Sequence, residues 1–350
     1  MINVLGLALY GPKAASHRYR LSQYKQGLLK LNINLEVHHL LDNNYLQSKF
    51  SNKPFSKVKL ILSIFNRLKL LLSSKKFDVT ILHCELLPFL PGWLETLILP
   101  KPYIFDFDDA WHLRYKLDRS KTFKILLENK VDKVIQNASA VHAGNKYLAR
   151  FASKHNTNVE VFPTVLDTKV YQPNSKSKNN IFTIGWIGSP TTAPYLKNLI
   201  NPLTQLGSEG PVSLHVIGGK APEILNIEIH EIPWSEDTEV ENINKFDVGV
   251  MPLIDDEWAK GKCAFKLLQY MACGLPVVAS NVGANKEVIN SETGFLVDSD
   301  QMWLESLRIL RDNPDLRKQL GAVGRARVEE FYSLHSNLPL LVKTINELVI

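Results

Sequence analysis

The 350-residue sequence predicts an α/β protein of two doubly wound domains, on three observations. Short apolar runs alternate with helical patterns along most of the chain, which calls for parallel sheets covered by helices on both faces. A polar stretch without periodicity, residues 172–180, splits that alternation into two series. The length suffices for about two domains with a sizeable core.

In the first series strands are expected over residues 2–9, 35–39, 79–83, 103–107, 140–143 and 159–162, with helices between them, for example over 18–31 and 118–137. In the second, strands are expected over 182–186, 212–217, 227–230, 248–251, 277–279 and 294–297. Residues 302–350 read as helical, with a break near Ser333. The expected domains are therefore 1–171 and 181–332, joined by the linker 172–180 and followed by a last helix over 333–350. Two such domains place a ligand in the cleft between them, at the carboxyl ends of the strands.

Composition is that of an ordinary globular protein, 45% apolar and 22% charged. The longest apolar runs are too short to span a bilayer, and residues 1–10 read as a buried strand rather than a signal peptide. Cys84, Cys263 and Cys273 form no ligand spacing and leave an odd count, which fits a reduced cytosol and argues against structural zinc. The charge is uneven. Residues 1–165 carry 24 Lys+Arg against 12 Asp+Glu, or +12, and the remainder 17 against 23, or −6, giving the overall +6. The basic half suits an anionic partner: lipid, a phosphorylated acceptor or nucleic acid.

The most informative stretch is residues 261–280. It reads as a turn at Gly261, a helix, a Gly274-Leu275-Pro276 turn and a buried strand. Free N–H groups and the helix dipole at such a start favour an anion, and Lys262 and Lys266 are expected on the first turn. The run Met271-Ala272-Cys273-Gly274-Leu275-Pro276-Val277-Val278-Ala279 resembles the nucleotide-sugar signature of family 4 (group 1) glycosyltransferases of the GT-B fold, whose usual form is Glu-x7-Glu-Ala-Met-Ala-x-Gly-x-Pro-Val-Val-Ala. Gln269 and Gly261 occupy the positions of the two glutamates, so both acids are absent. The resemblance implies a GT-B architecture of two Rossmann-like domains facing across a cleft, with the nucleotide-diphosphate sugar held by the second.

Within that donor half, Lys262, Cys263, Ala264, Phe265 and Lys266 would hold the diphosphate, and Gln269 would reach ribose hydroxyls through its amide. Gly188 and Ser189 end the first strand of the second series and either bring donors close to a phosphate or form a plain turn. Gly218 is a weaker signal of the same kind. Trp234 either walls a nucleobase pocket or belongs to the core. Asp255, Asp256 and Glu257 either contact the donor sugar in place of the missing acid or form a solvated loop, the plainer reading.

In the first half, the run Phe105-Asp106-Phe107-Asp108-Asp109 puts three aspartates at a strand end, where Asp is a poor strand former. Asp108 or Asp109 would face the donor sugar or developing positive charge, with Lys266 completing the catalytic set; helix capping is the plainer role for Asp109. No metal is expected at Asp106-x-Asp108. Ser16, Arg18 and Arg20 open the first helix and would hold an acceptor phosphate, or lie solvated. His142 reads as a packed histidine.

Residues 48–77 hold eight basic residues and no acid. Val58, Ile61, Leu62, Phe65, Leu68 and Leu72 recur at helical spacing, with Lys59, Ser63, Asn66 and Arg67 opposite. Such a helix lies on an anionic membrane or packs on a core with a solvated basic face. No nucleic-acid motif accompanies it.

The expectation is thus a retaining glycosyltransferase without cofactor beyond its co-substrate. It would act on a membrane-associated, lipid-linked glycan acceptor in surface polysaccharide synthesis, at the cytoplasmic face of the membrane. Alternatives are a non-catalytic nucleotide-sugar-binding subunit and a nucleotide-sugar epimerase of the same fold. A nicotinamide-dependent oxidoreductase ranks lower, because no G-x-G-x-x-G follows a strand.

Overall fold

The computed structural model describes residues 1–50, 53–116, 125–174 and 181–349. It separates into two compact units. Of the expected elements, residues 117–124 of one helix and 175–180 of the linker lie outside the described residues.

The N-terminal unit comprises Met1–Val165, Gly261–Cys263 and Asn337–Ile350. Its parallel sheet runs β2-β1-β3-β4-β5-β6, built from β1 Ile2–Tyr10, β2 Ile33–Leu41, β3 Val79–His83, β4 Tyr103–Phe107, β5 Ala140–Ala143 and β6 Val159–Val161. β3, β4 and β5 are buried at every residue, as strands covered on both faces must be, so their sequences read as mainly apolar runs, interrupted by Thr80, His83, Asp106 and His142. Strand order reverses between β1 and β3, which places a crevice at their carboxyl ends.

The helix expected over 18–31 is broken into Ala15–Arg20, a turn of 3₁₀ helix at Ser22–Tyr24, and Lys25–Lys30. The break has a local cause. Gln23 Nε2 donates to the Tyr19 carbonyl at 2.5 Å, so the side chain takes the acceptor that the helical N–H would use.

The helix Lys57–Leu72, capped by Ser56, follows β2. Its orientation corrects the sequence reading. Arg67, expected on the solvated face, is 3% exposed, and its Nη2 donates to the carbonyls of Ala8 (2.8 Å) and His38 (3.2 Å). Leu71 is buried beside it, and Leu60 and Ile64 pack on the core. The apolar stripe faces outward: Val58 is 66% exposed, Ile61 66%, Leu62 54%, Phe65 63%, Leu68 39% and Leu72 84%. Among the described residues, no helix is long and apolar enough to cross a membrane.

The C-terminal unit comprises Leu166–Lys260 and Ala264–Ser336. Its parallel sheet runs β12-β11-β10-β7-β8-β9, built from β7 Phe182–Ile187, β8 Val212–Ile217, β9 Glu228–Ile232, β10 Val248–Met251, β11 Val277–Ser280 and β12 Gly294–Val297. Here the order reverses between β7 and β10. Two helices close this unit, Asp300–Asp312 and Pro314–Phe331; a third, Leu334–Val349, starts in it and from Asn337 belongs to the N-terminal unit. The unit begins at Leu166, six residues before the expected linker. Leu166 exchanges backbone hydrogen bonds with Tyr332 and Leu334, and Arg325 donates to the carbonyls of Thr168 and Tyr171. These bonds tie residues 166–171 to the last helices of this unit.

Two buried histidines give the N-terminal unit a pH signature. His17 bonds Ser22 Oγ at 3.0 Å; His142 stacks on Phe162 and bonds Thr344 Oγ1 at 3.1 Å. Burial lowers the pKa of each from 6.5 to about 4. Between those values the unfolded chain binds protons that the folded rings refuse, so stability falls as the pH drops through this window. Replacing His142 by Gln removes one such proton. Melting temperature should then depend less steeply on pH between about 6.5 and 4, with an unchanged slope counting against the assignment.

Candidate functional site

Strands β3 and β4 end in register, with His83 opposite Asp106. Asp106 is 2% exposed. Arg20 reaches it from the first helix, with Nε 3.0 Å from Oδ2 and Nη2 on Oδ1. Arg20 Nη1 continues to the Phe162 carbonyl at 2.8 Å and Thr164 Oγ1 at 3.3 Å. Burial alone would raise the Asp106 pKa, but the Arg20 charge and the His83 hydrogen bond hold it well below the usual carboxylate range. The same pair holds Arg20 well above its ordinary value, against the effect of burial. Arg20 is therefore not available to an acceptor phosphate, contrary to the sequence reading. Ser16 is half-buried, and the half-buried Arg18 lays its guanidinium over the Tyr19 ring at 5.0 Å.

His83 Nδ1 lies 2.6 Å from Asp106 Oδ2. The carboxylate accepts from Nδ1–H, which leaves Nε2 as the ring nitrogen turned away from Asp106. That nitrogen faces Cys84 Sγ at 3.1 Å and Asp108 Oδ1 at 3.8 Å. The thiol–imidazole–carboxylate order resembles an activated nucleophile, but the electrostatics oppose it. Burial, with Asp108, Asp106 and Asp109 nearby, pushes the Cys84 thiol pKa well above its ordinary value. Asp108 stays partly open, with 19% side-chain exposure. Sequence reading missed His83; the only signal was the polar triplet His83-Cys84-Glu85 closing an apolar strand.

The segment Gly261–Cys263 packs with this unit. Cys263 Sγ donates to the Asp108 carbonyl at 3.1 Å, and Asn145 Nδ2 donates to the Lys262 carbonyl at 3.0 Å. Lys262 Nζ lies 3.9 Å from Asp109 Oδ2. Lys262 is thus not on the first turn of the helix that follows. A Cβ at Gly261 would stand 2.7 Å from the Ala110 backbone nitrogen, so no glutamate fits where the resembling family carries one.

In the C-terminal unit the helix Phe265–Ala272 starts at Ala264, which is left-handed (φ 53°) and supplies no side-chain cap. Lys266, on the first turn, lies over the buried Trp186 ring at 5.5 Å. Phe265 beside it is half-buried. At the end of β7, Ser189 N–H donates to Thr192 Oγ1 at 3.1 Å, which closes the turn after Gly188. Gly218, after β8, has φ +75°, and a Cβ there would stand 2.5 Å from the Gly188 carbonyl. Both conditions require glycine.

Gln269 is 4% exposed, and its Nε2 donates to Tyr171 Oη at 3.1 Å and Glu239 Oε1 at 2.9 Å. Glu239 is itself buried and also accepts from Tyr171 Oη and from Nε1 of the half-buried Trp234. A carboxylate therefore stands beside the position where the family's second glutamate is missing. Sequence reading did not single out Glu239, which lies 30 residues from Gln269. Asp255, Asp256 and Glu257 are exposed.

Two substitutions test these networks. Arg20→Ala leaves Asp106 buried without its cation, and should cost about 3–5 kcal/mol of stability in denaturant melts. Gln269→Glu sets a second carboxylate against Glu239 in a buried site, and should cost about 1–3 kcal/mol. For a domain of this size, that lowers the melting temperature by roughly 2–4 °C per kcal/mol. A melt equal to the parent's would refute the pairing of Gln269 with Glu239.

Comparison with known proteins agrees with this geometry. Residues 179–313 match the family of glycosyl transferases group 1. The chain is 43% identical over 68 residues, 19% of its length, to the GDP-mannose-dependent monoacylated α-(1-6)-phosphatidylinositol monomannoside mannosyltransferase of Corynebacterium glutamicum. The matched stretch spans about a fifth of the length of the curated relatives it resembles. Sucrose-phosphate synthase from Thermosynechococcus elongatus superposes with a TM-score of 0.73 at 13% identity, covering 99% of both chains. Anabaena HepE in complex with UDP-glucose superposes with 0.67 at 15% identity, covering 99% of this chain and 100% of the other. The C-terminal unit is accordingly a group 1 glycosyltransferase domain, in a chain with the fold of the GT-B glycosyltransferases.

Proposed function

We propose that the protein is a retaining glycosyltransferase that moves a sugar from a nucleotide-diphosphate donor to a membrane-associated, lipid-linked glycan acceptor, as in surface polysaccharide synthesis. The observation that carries the transfer is the group 1 domain with Lys266 on the first turn of a helix whose cap offers no side chain. In this reading Lys266 and the backbone N–H groups of that turn, with the Gly188–Ser189 turn, hold the leaving diphosphate. Glu239 and Gln269 take the ribose hydroxyls beside Trp234, so the acid missing from the motif is supplied from another element. The UDP-glucose bound by HepE supports a nucleotide-sugar donor. Asp108 and Asp109 of the N-terminal unit serve the donor sugar and the charge that develops on it, and Ser16 and Arg18 serve the acceptor. Leaving-group stabilisation does most of the chemistry, and no cofactor beyond the co-substrate is invoked.

The outward apolar face of the helix Lys57–Leu72 supports a membrane acceptor, and the phosphatidylinositol monomannoside in the name of the related mannosyltransferase agrees with it. Exposed Lys57, Lys59, Lys69 and Lys75 accompany that face, a pattern that suits the anionic cytoplasmic leaflet. The loss of both motif glutamates favours one competing reading, a non-catalytic binding subunit, and turnover of a donor sugar decides between them.

Thermal stabilisation by UDP, GDP, ADP, CDP and TDP, with and without Mn²⁺, tests donor binding. One metal-independent shift is expected, weakened about 10–100-fold in affinity by Lys266→Ala. No shift with any nucleotide, together with no turnover, would overturn the enzyme reading. Cosedimentation with phosphatidylglycerol vesicles tests the membrane. At ~1 kcal/mol per lysine, changing Lys57, Lys59, Lys69 and Lys75 to Gln should weaken binding on the order of a hundred- to a thousandfold. Binding indifferent to both lipid charge and these changes would remove the anionic membrane from the proposal.

A further inference from the structure

We infer that His83, Cys84 and Asp108 of the N-terminal unit form a binding site for one divalent ion of the zinc class, with an open coordination position. The inference does not depend on glycosyl transfer. It rests on three donor atoms of different chemistry converging at the carboxyl ends of adjacent strands. His83 Nε2, Cys84 Sγ and an Asp108 carboxylate oxygen all lie within 4.8 Å of one another. A tetrahedral ion with bonds of about 2.0–2.3 Å needs donor atoms about 3.3–3.6 Å apart. The nitrogen–sulfur distance of 3.1 Å and the nitrogen–oxygen distance of 3.8 Å bracket that range, so small rotations suffice.

The residues that orient these donors are already in place. His83 Nδ1 is held by Asp106 at 2.6 Å, the carboxylate–histidine arrangement that fixes the tautomer and raises the basicity of the metal-facing nitrogen. Asp106 is fixed in turn by Arg20, which also cancels its charge. Cys84 has φ +67°, an uncommon conformation for a residue with a side chain, and its backbone N–H is anchored on the Asp106 carbonyl at 2.8 Å. The backbone is thus committed to presenting the thiol beside the imidazole. His83 and Cys84 are 2% and 5% exposed, whereas Asp108 is part-open, so the site is closed at two ligands and accessible at the third. Mixed nitrogen, sulfur and carboxylate donors suit Zn²⁺ or Co²⁺ and disfavour Mg²⁺ and Ca²⁺. Binding releases the Cys84 proton to solvent. The ion's two positive charges then meet one thiolate and one carboxylate, with the imidazole neutral, so the ion and its three ligands sum to zero charge.

The test uses the full chain after chelator treatment, titrated with Co²⁺ and then Zn²⁺. One Co²⁺ per chain is expected, with thiolate-to-cobalt charge-transfer absorption that Zn²⁺ displaces. Cys84→Ser should abolish that absorption, His83→Ala and Asp108→Asn should weaken binding ~10-fold or more, and Cys263→Ser should change neither. Circular dichroism verifies the fold of each variant. If Cys84→Ser does not fold, the part-exposed Asp108→Asn carries the decision. Absorption without a thiolate band, a band that follows Cys263 instead of Cys84, or Co²⁺ affinity unchanged in Asp108→Asn would each overturn the site.

Discussion

The N-terminal unit is organised around one buried carboxylate. Asp106 sits at the end of β4, 2% exposed, with His83 of β3 and His142 of β5 as its register partners. An ionised carboxylate there costs several kcal/mol unless it is paired and hydrogen-bonded. The planar fork of Arg20 meets both of its oxygens, and His83 takes the remaining acceptor direction. Each partner is then committed. Arg20 fixes the end of the first helix over the sheet and ties it to Phe162 and Thr164 beyond β6. His83 is fixed in tautomer and angle, which sets what Cys84 and Asp108 face. The polar chemistry at this edge is a consequence of satisfying Asp106.

The C-terminal unit treats its own buried acid differently. Glu239 is held by a phenol, an indole and an amide rather than by a cation. Three donors, none of them a cation, converge on one carboxylate. Lys266 remains close to the helix start, against Trp186. This explains why Gln269 is an amide. A glutamate there would face another carboxylate at the distance where the amide now donates, and one of the two would have to hold a proton. Gly261 has a steric reason instead, since the Ala110 backbone occupies the space its side chain would need.

These features divide what the sequence makes legible from what it hides. All twelve strands stand where apolar runs bounded by turns announced them, most plainly β3, β4, β5, β7, β10 and β11, because fully buried parallel strands leave that mark on consecutive residues. The Lys266–Gln269 helix and the turns at Gly188 and Gly218 were legible for the same reason: their signals are local. The partners of Arg20, Gln269 and His83 lie 86, 30 and 23 residues away, and no spacing rule connects them. Arg20 read as a surface cation because arginine usually is one; only the fold reveals that it faces Asp106.

The helix Lys57–Leu72 shows the same limit from the opposite side. Its sequence gives a clear apolar stripe, and periodicity alone assigns that stripe to the core. The sheet edge beneath has a different requirement: the carbonyls of Ala8 and His38 accept from a buried donor. Arg67 supplies it at the cost of desolvation, which lowers its pKa to about 10. Leu60, Ile64 and Leu71 pack with it and fill the inward face. With that face occupied, turning the helix to bury Phe65 and Ile61 would strand the two carbonyls and eject Arg67. Each large apolar side chain left outside forgoes about 1.5–3 kcal/mol of burial. Six of them on one face form a contiguous pattern rather than scattered exposure. The exposed stripe is therefore the residue of a choice the sheet edge makes first.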